Sequence, residues 1–273
     1  MRVWFNGALV DDVTTPAIRV DDHGFTVGDG VFEAVKVLDG RPFALTRHLD
    51  RLVGSAAGLG LPEPDRGEVE SAVAAVLEGQ ELPLGRLRIT WTAGPAPMGS
   101  GRGGGPPSLV VAASPMDPAA ASTHAVRVPW VRNERSAVAG LKTTSYAENV
   151  VALAYARERG ATEAIMANTL GNLCEGTGSN VCYVIDGEAR TPTLASGCLA
   201  GVTRALVVEW CGVREVDEPL SVLDEAEEIF LVSTTRDVQP LSRLDGRDLG
   251  EPGPVTLEAM KTWSDREAES IDP

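Results

Sequence analysis

Apolar and polar positions recur along the 273-residue chain with two different periods, and each change of period marks an element boundary. Arg2-Val-Trp-Phe5 and Ala8-Leu-Val10 flank Asn6-Gly7, which predicts a hairpin. Val31-Phe-Glu-Ala-Val-Lys-Val37 is rich in β-branched residues and lies between the turns Gly28-Asp-Gly30 and Asp39-Gly40, so it reads as a strand. The period then lengthens. Leu45 to Ala57 has apolar positions at helical spacing and stops near Gly58 and Gly60, and Glu68 to Leu77 predicts a second helix. Strands are predicted at Arg86–Thr92 and Ser108–Ala113, around a glycine-rich loop.

Two prolines and a run of small residues in Ser114–Ser122 read as a linker. The boundaries that follow are a small N-terminal α+β domain over 1–115, a linker over 116–123 and a larger domain over 124–273. In the second domain the pattern predicts a strand at Ala125–Val131, a helix from about Tyr146 to Arg159, and strands at Glu163–Ala167 and Val181–Ile185. A helix over Val202–Cys211 stops at Gly212, another lies near Val222–Glu227, and strand Glu228–Val232 runs into Ser233-Thr-Thr235. The mixture implies an α/β (α+β) chain of two domains.

Composition narrows the function classes. A net charge of −15 argues against a nucleic-acid partner, since phosphate backbones need clustered Lys and Arg. No apolar run has the length of a signal peptide or a membrane span, so the expectation is a cytoplasmic protein with no membrane partner. The four cysteines form no C-x-x-C pair, and His23, His48 and His124 lie far apart, so no zinc or other metal site is expected. Gly28-Asp-Gly30 precedes a strand and lacks the third glycine of a dinucleotide fingerprint, so it reads as a tight turn. Ser100-Gly-Arg-Gly-Gly-Gly105 has no Gly-Lys-Ser/Thr and reads as a mobile loop.

Lysine is rare: Lys36, Lys142 and Lys261 stand against many arginines. Lys142 sits among small hydroxyl residues in Gly140-Leu-Lys-Thr-Thr-Ser-Tyr146, a setting that suits an amine kept for chemistry. Gly201-Val-Thr203 opens a helix whose free N–H groups can cradle a phosphate, Ser233-Thr-Thr235 adds hydroxyls, and Arg51 adds a cation. Glu175, among Gly, Ser and Thr, is a carboxylate that could face a cationic ring nitrogen. An amine, a carboxylate and a phosphate cradle are the parts needed to hold pyridoxal 5'-phosphate.

These residues carry a resemblance that runs nearly end to end. The segments WFNG (4–7), GDGVFEAVKV (28–37), HLDRL (48–52), LKTTSYAENV (141–150), CEGTGSNV (174–181), TPTLASGCLAGVTR (191–204), STTRDVQP (233–240) and GPVT (253–256) resemble the fold-type IV, class IV pyridoxal-phosphate enzymes. That family includes branched-chain and D-amino acid aminotransferases and 4-amino-4-deoxychorismate lyase. The resemblance implies a two-domain fold like that of D-amino acid aminotransferase. It makes Lys142 the cofactor-linked lysine and general acid/base, and puts Glu175 at the pyridine nitrogen. Arg51, Val202, Thr203 and Thr234 would hold the phosphate, with Tyr146 and Asn180 near the cofactor. Phe32, Arg102 and Thr235 become candidate substrate contacts. Cys182 stands where the family usually has an aromatic residue, a packing change beside the site.

Within the family the features divide. Phe32 replaces a tyrosine of the D-amino acid enzymes, and Pro97-Met-Gly-Ser100 occupies the loop of their arginine–histidine pair. Met98-Gly99 and GPVT resemble branched-chain enzymes, whose lysine-to-tyrosine spacing is one residue longer. The compact length and K-x-x-S-Y spacing resemble the lyase, although Ala34 replaces its usual threonine. The expectation is therefore a lyase of folate biosynthesis that converts 4-amino-4-deoxychorismate to 4-aminobenzoate and pyruvate, with a class IV aminotransferase as the alternative. The substrate is a small amine or amino acid, and the resemblance implies a homodimer with its site at the domain interface.

Overall fold

A computed structural model describes residues 1–14 and 17–273 and divides the chain into two compact units. The first holds Met1–Pro118, Leu141–Tyr146 and Ile271–Pro273, and the second holds Ala119–Gly140 and Ala147–Ser270.

The first unit contains β1 (Arg2–Phe5), β2 (Ala8–Val10), the short helix α1 (His23–Thr26), β3 (Gly30–Leu38), β4 (Arg41–Pro42), α2 (Leu45–Leu59), α3 (Arg66–Leu77), β5 (Leu84–Thr92) and β6 (Ser108–Pro115). Its strands form one six-stranded antiparallel sheet in the order β2-β1-β6-β5-β3-β4. Leu49, Leu52 and Ala56 of α2 and Val69, Val73 and Val76 of α3 join Val35, Leu87, Ile89 and Val111 in one core. The caps follow local chemistry: Asp65 accepts from the N–H of Glu68 at the start of α3, and Gly60 closes α2 in the left-handed region at φ 70°.

The boundaries 1–115 and 124–273 assign the lysine segment to the second domain, but its backbone joins the first unit. Phe32 N–H donates to Lys142 O at 2.9 Å, Thr144 N–H donates to Gly30 O at 2.8 Å, and Val31 forms an antiparallel bridge with Thr143. The C-terminus also returns: Ala44 N–H donates to Ile271 O at 2.7 Å and Thr46 bonds the Asp272 carboxylate. Hydrophobic periodicity carries no signal for such short pieces pairing far along the chain.

The second unit contains β7 (Thr123–Arg132), α4 (Ala147–Glu158), β8 (Glu163–Asn168), β9 (Leu173–Gly176), β10 (Asn180–Ile185), β11 (Glu188–Thr191), α5 (Val202–Cys211), β12 (Arg214–Glu215), α6 (Val222–Glu225), β13 (Glu228–Ser233), β14 (Asp237–Leu244), β15 (Arg247–Asp248) and α7 (Pro254–Glu269). Its nine-stranded mixed sheet runs β12-β11-β10-β13-β14-β7-β8-β9, with β15 on β14. Alternation along the strands builds two cores. Ala125, Ile165 and Leu241 join Leu231 and Tyr183 in one, while Val126, Ala164 and Met166 pack with Ala152 and Ala156 of α4 in the other.

Several elements escape the sequence pattern, β9, β14 and α7 among them. The segment around Glu175 is itself a strand, β9, because Met166 pairs with Glu175 in register. Strand β14 carries the buried polar Gln239 and the breaker Pro240, which pairs with Phe230. Helix α7 buries only Thr256, Ala259 and Trp263, too thin a stripe to read as amphipathic.

Candidate active site

In the first unit the lysine segment lies along β3. Lys142 N–H donates to Ser55 Oγ at 3.2 Å, and Thr144 Oγ1 and Ser145 Oγ donate to Gly28 O at 2.9 and 3.0 Å. Gly28 is required twice over: its φ is +71°, and a Cβ there would come within 2.6 Å of Ser145 Oγ. The tight turn of Gly28-Asp-Gly30 therefore makes room for the lysine segment. Lys142 Nζ lies 4.4 Å from the centroid of Phe32 and 5.9 Å from that of Tyr146, and the two rings meet edge to face at 5.3 Å. The guanidinium of Arg88 stacks on Phe32 at 3.9 Å and donates to Thr90 Oγ1 at 3.2 Å. Arg88 is exposed and has no carboxylate partner among the described residues.

Arg51 meets a carboxylate that the sequence pattern does not single out. Glu33, fully buried, accepts from Arg51 Nε at 2.9 Å and Nη2 at 2.6 Å, and lies 2.7 Å from His48 Nδ1. Burial pushes the Glu33 carboxyl up, but the Arg51 charge and the bonds from Arg51 and His48 outweigh it and hold the group at about 2. Burial is also the largest influence on His48, and it holds the imidazole below its usual value despite Glu33. A signal for Glu33 is present in the chain: it shares the inward strand phase of Val31, Val35 and Val37, where a charge needs a partner. Arg102 is heavily engaged. It donates to both oxygens of Asp29 at 2.7 and 2.6 Å, to Gly60 O at 2.6 Å and to Leu59 O at 2.8 Å. This pins the glycine loop to the end of α2.

The second unit positions the remaining candidates. Glu175 Oε1 accepts from Arg132 Nε at 3.0 Å and Oε2 accepts from Leu199 N–H at 2.9 Å. Asn180 donates to Leu199 O at 2.9 Å. Gly201 starts α5 with no side-chain cap, Val202 and Thr203 are buried in its first turn, and a Cβ on Gly201 would come within 2.1 Å of Asn180 Oδ1. Thr234 and Thr235 lie in the turn after β13, beside Ser233, whose hydroxyl is buried without a partner. The loop between β9 and β10 rests on Glu163, which accepts from Thr177 N–H at 2.8 Å and Ser179 Oγ at 2.9 Å. Cys182 is buried on β10, and burial pushes its thiol up to about 12, so it packs as an apolar residue.

This donor set fits pyridoxal phosphate chemically. It supplies a primary amine, a carboxylate with both oxygens oriented, an uncapped helix N-terminus left clear by glycine, and a buried hydroxyl without a partner. Residues 30–244 match the model of the amino-transferase class IV family. The D-alanine aminotransferase of Bacillus licheniformis is 30% identical, over 94% of this chain and 93% of its own. The branched-chain aminotransferase of Thermoproteus uzoniensis, solved with norvaline, superimposes with a TM-score of 0.88 at 30% identity, over 97% and 93% of the two chains. A hypothetical aminotransferase from Mycobacterium tuberculosis in its PLP-bound form gives 0.86 at 26%, over 97% and 98%. The chain belongs to the class IV aminotransferase family, whose cofactor is pyridoxal 5'-phosphate. Among the described residues no helix is long and apolar enough to cross a membrane.

Proposed function

We propose that the chain is an aminotransferase that takes its amino group from an amino acid. The observation that carries this is the placement of Arg88 and Lys142 on the same ring, Phe32, at 3.9 and 4.4 Å. A guanidinium on the ring that the reactive amine also meets suits a donor that carries a carboxylate as well as its amino group. Bound pyridoxal phosphate supplies an aldehyde for exchanging amines and a ring that accepts electrons. Lys142 moves the proton at the substrate carbon that bears nitrogen. Glu175 holds a proton at the ring nitrogen. In the second unit Gly201, Val202, Thr203 and Thr234 bind the phosphate; in the first unit Arg51 is an anion-binding candidate, and Phe32 and Tyr146 wall the amine from water.

The substrate class follows the similar proteins, a branched-chain or D-amino acid donor. The lyase is the second reading, favoured by chain length and the K-x-x-S-Y spacing. It is weakened by Ala34, which pairs with Arg88 in register on the same sheet face and offers only a methyl group. With either reading we propose a two-fold homodimer, the commonest arrangement of soluble oligomers.

The test is transfer from a panel of amino donors to 2-oxoglutarate by wild type and Arg88→Gln. The Arg88 change should raise KM about tenfold or more for amino acids and little for amines lacking a carboxylate. Equal effects on both donor types would contradict the proposal.

A further inference from the structure

We infer that Arg132 is the positioning residue for Glu175, setting the orientation of that carboxylate before the cofactor binds. The inference rests on the reading above that Glu175 serves the cofactor's ring nitrogen. Arg132 is the last residue of β7 and pairs in register with Asn168 of β8, while Met166 of β8 pairs with Glu175 of β9. Its three guanidinium nitrogens have three different acceptors. Nε donates to Glu175 Oε1 at 3.0 Å, Nη1 to Glu148 Oε2 at 3.2 Å and Nη2 to Asn149 Oδ1 at 3.1 Å. Asn149 in turn donates through Nδ2 to Thr177 O at 2.5 Å.

The consequence for Glu175 is geometric first. Leu199 N–H holds Oε2 while Arg132 holds Oε1, so the plane of the carboxylate is fixed from two directions. The charge follows the same logic. Glu148 is 79% exposed and screened by water, whereas Glu175 is 11% exposed, so the cation of Arg132 acts chiefly on Glu175. A lysine at this position could not imitate it, because a point charge cannot address three acceptors in a planar fork.

The test is a double-mutant cycle read by cofactor affinity. Pyridoxal phosphate is titrated into apoprotein and tryptophan fluorescence gives Kd for wild type, Arg132→Met, Glu175→Gln and the double variant, with the melting temperature of each apoprotein recorded. Arg132→Met should raise Kd about tenfold in the wild-type background and less than about twofold when Glu175 is already glutamine. Arg132→Lys should fall between wild type and Arg132→Met. Additive effects would overturn the inference, since Arg132 would then act through the fold and not through Glu175. If Arg132→Met does not fold, the same cycle with Arg132→Lys decides: coupling to Glu175 supports the role and additivity removes it. Failure of the underlying reading looks different. Glu175→Gln alone would then leave both Kd and the pH titration of the bound cofactor's absorption unchanged.

Discussion

Arg51 grips Glu33 from inside the first unit, with Nε and Nη2 at 2.9 and 2.6 Å from a carboxylate that has no exposure to solvent. The pair gives the phosphate candidate Arg51 a fixed orientation and makes stability depend on pH. The Glu33 carboxyl is held at about 2, below its ordinary 4.5, so its contribution is complete above 4.5 and is lost as pH falls toward 2. That contribution is roughly 3 kcal/mol at neutral pH. His48 is also held below its ordinary 6.5, so the folded protein resists protonation there and loses stability as pH drops below that value. Glu33→Gln should destabilise the protein by about 3–5 kcal/mol near pH 7. The difference from wild type should shrink on acidification. Denaturant unfolding of both proteins across the acid range checks this, and a pH-independent difference would contradict it.

Arg102 should behave as a clamp. Arg102→Ala leaves Asp29 without its guanidinium partner and frees the carbonyls of Leu59 and Gly60. Limited proteolysis within the 95–106 loop should accelerate about tenfold or more, while KM for the amino donor changes less than about threefold. A large KM effect with unchanged proteolysis would instead make Arg102 a substrate contact.

Gly201→Ala should weaken cofactor binding without unfolding the protein. The new methyl group would meet Asn180 Oδ1 at 2.1 Å, so Asn180 must swing away from Leu199 O at the mouth of α5. A cost of about 1–3 kcal/mol is expected for that displacement. Kd for pyridoxal phosphate should rise by about tenfold or more, and an unchanged Kd would remove this helix end from the phosphate site.

Much of the fold and of the candidate site is legible in the amino-acid sequence. Runs of β-branched and apolar residues locate β3 and β10, and apolar positions at helical spacing locate α2 and α5. The rarity of lysine points to Lys142, and the clusters of glycine with hydroxyl residues point to Glu175, Gly201 and Ser233. What stays hidden depends on pairing across the chain. Glu33 and His48 join Arg51 only when β3 lies against α2, Arg88 reaches Phe32 only through strand register, and Arg132 reads as a surface cation until β7 and β9 share a sheet. The lysine segment departs from its expected unit for the same reason, since its partners are the backbone groups of β3.

Lys142 should be the residue that holds the cofactor covalently. Borohydride treatment of the loaded protein should fix the cofactor's mass on the peptide containing Lys142, as mass spectrometry would show. Lys142→Ala should abolish that label and reduce turnover by several orders of magnitude. A label on Lys36 or Lys261 would move the reactive amine elsewhere.

The most direct measurement is product formation per subunit with and without a keto-acid acceptor. Loaded protein is given an amino acid donor, and separately enzymatically generated aminodeoxychorismate. An aminotransferase should form about one equivalent of keto acid per subunit from the amino acid without acceptor, and turn over continuously once 2-oxoglutarate is added. Repeated pyruvate release from aminodeoxychorismate with no acceptor, and no acceptor-dependent transfer from any amino acid, would contradict the aminotransferase assignment and establish the lyase.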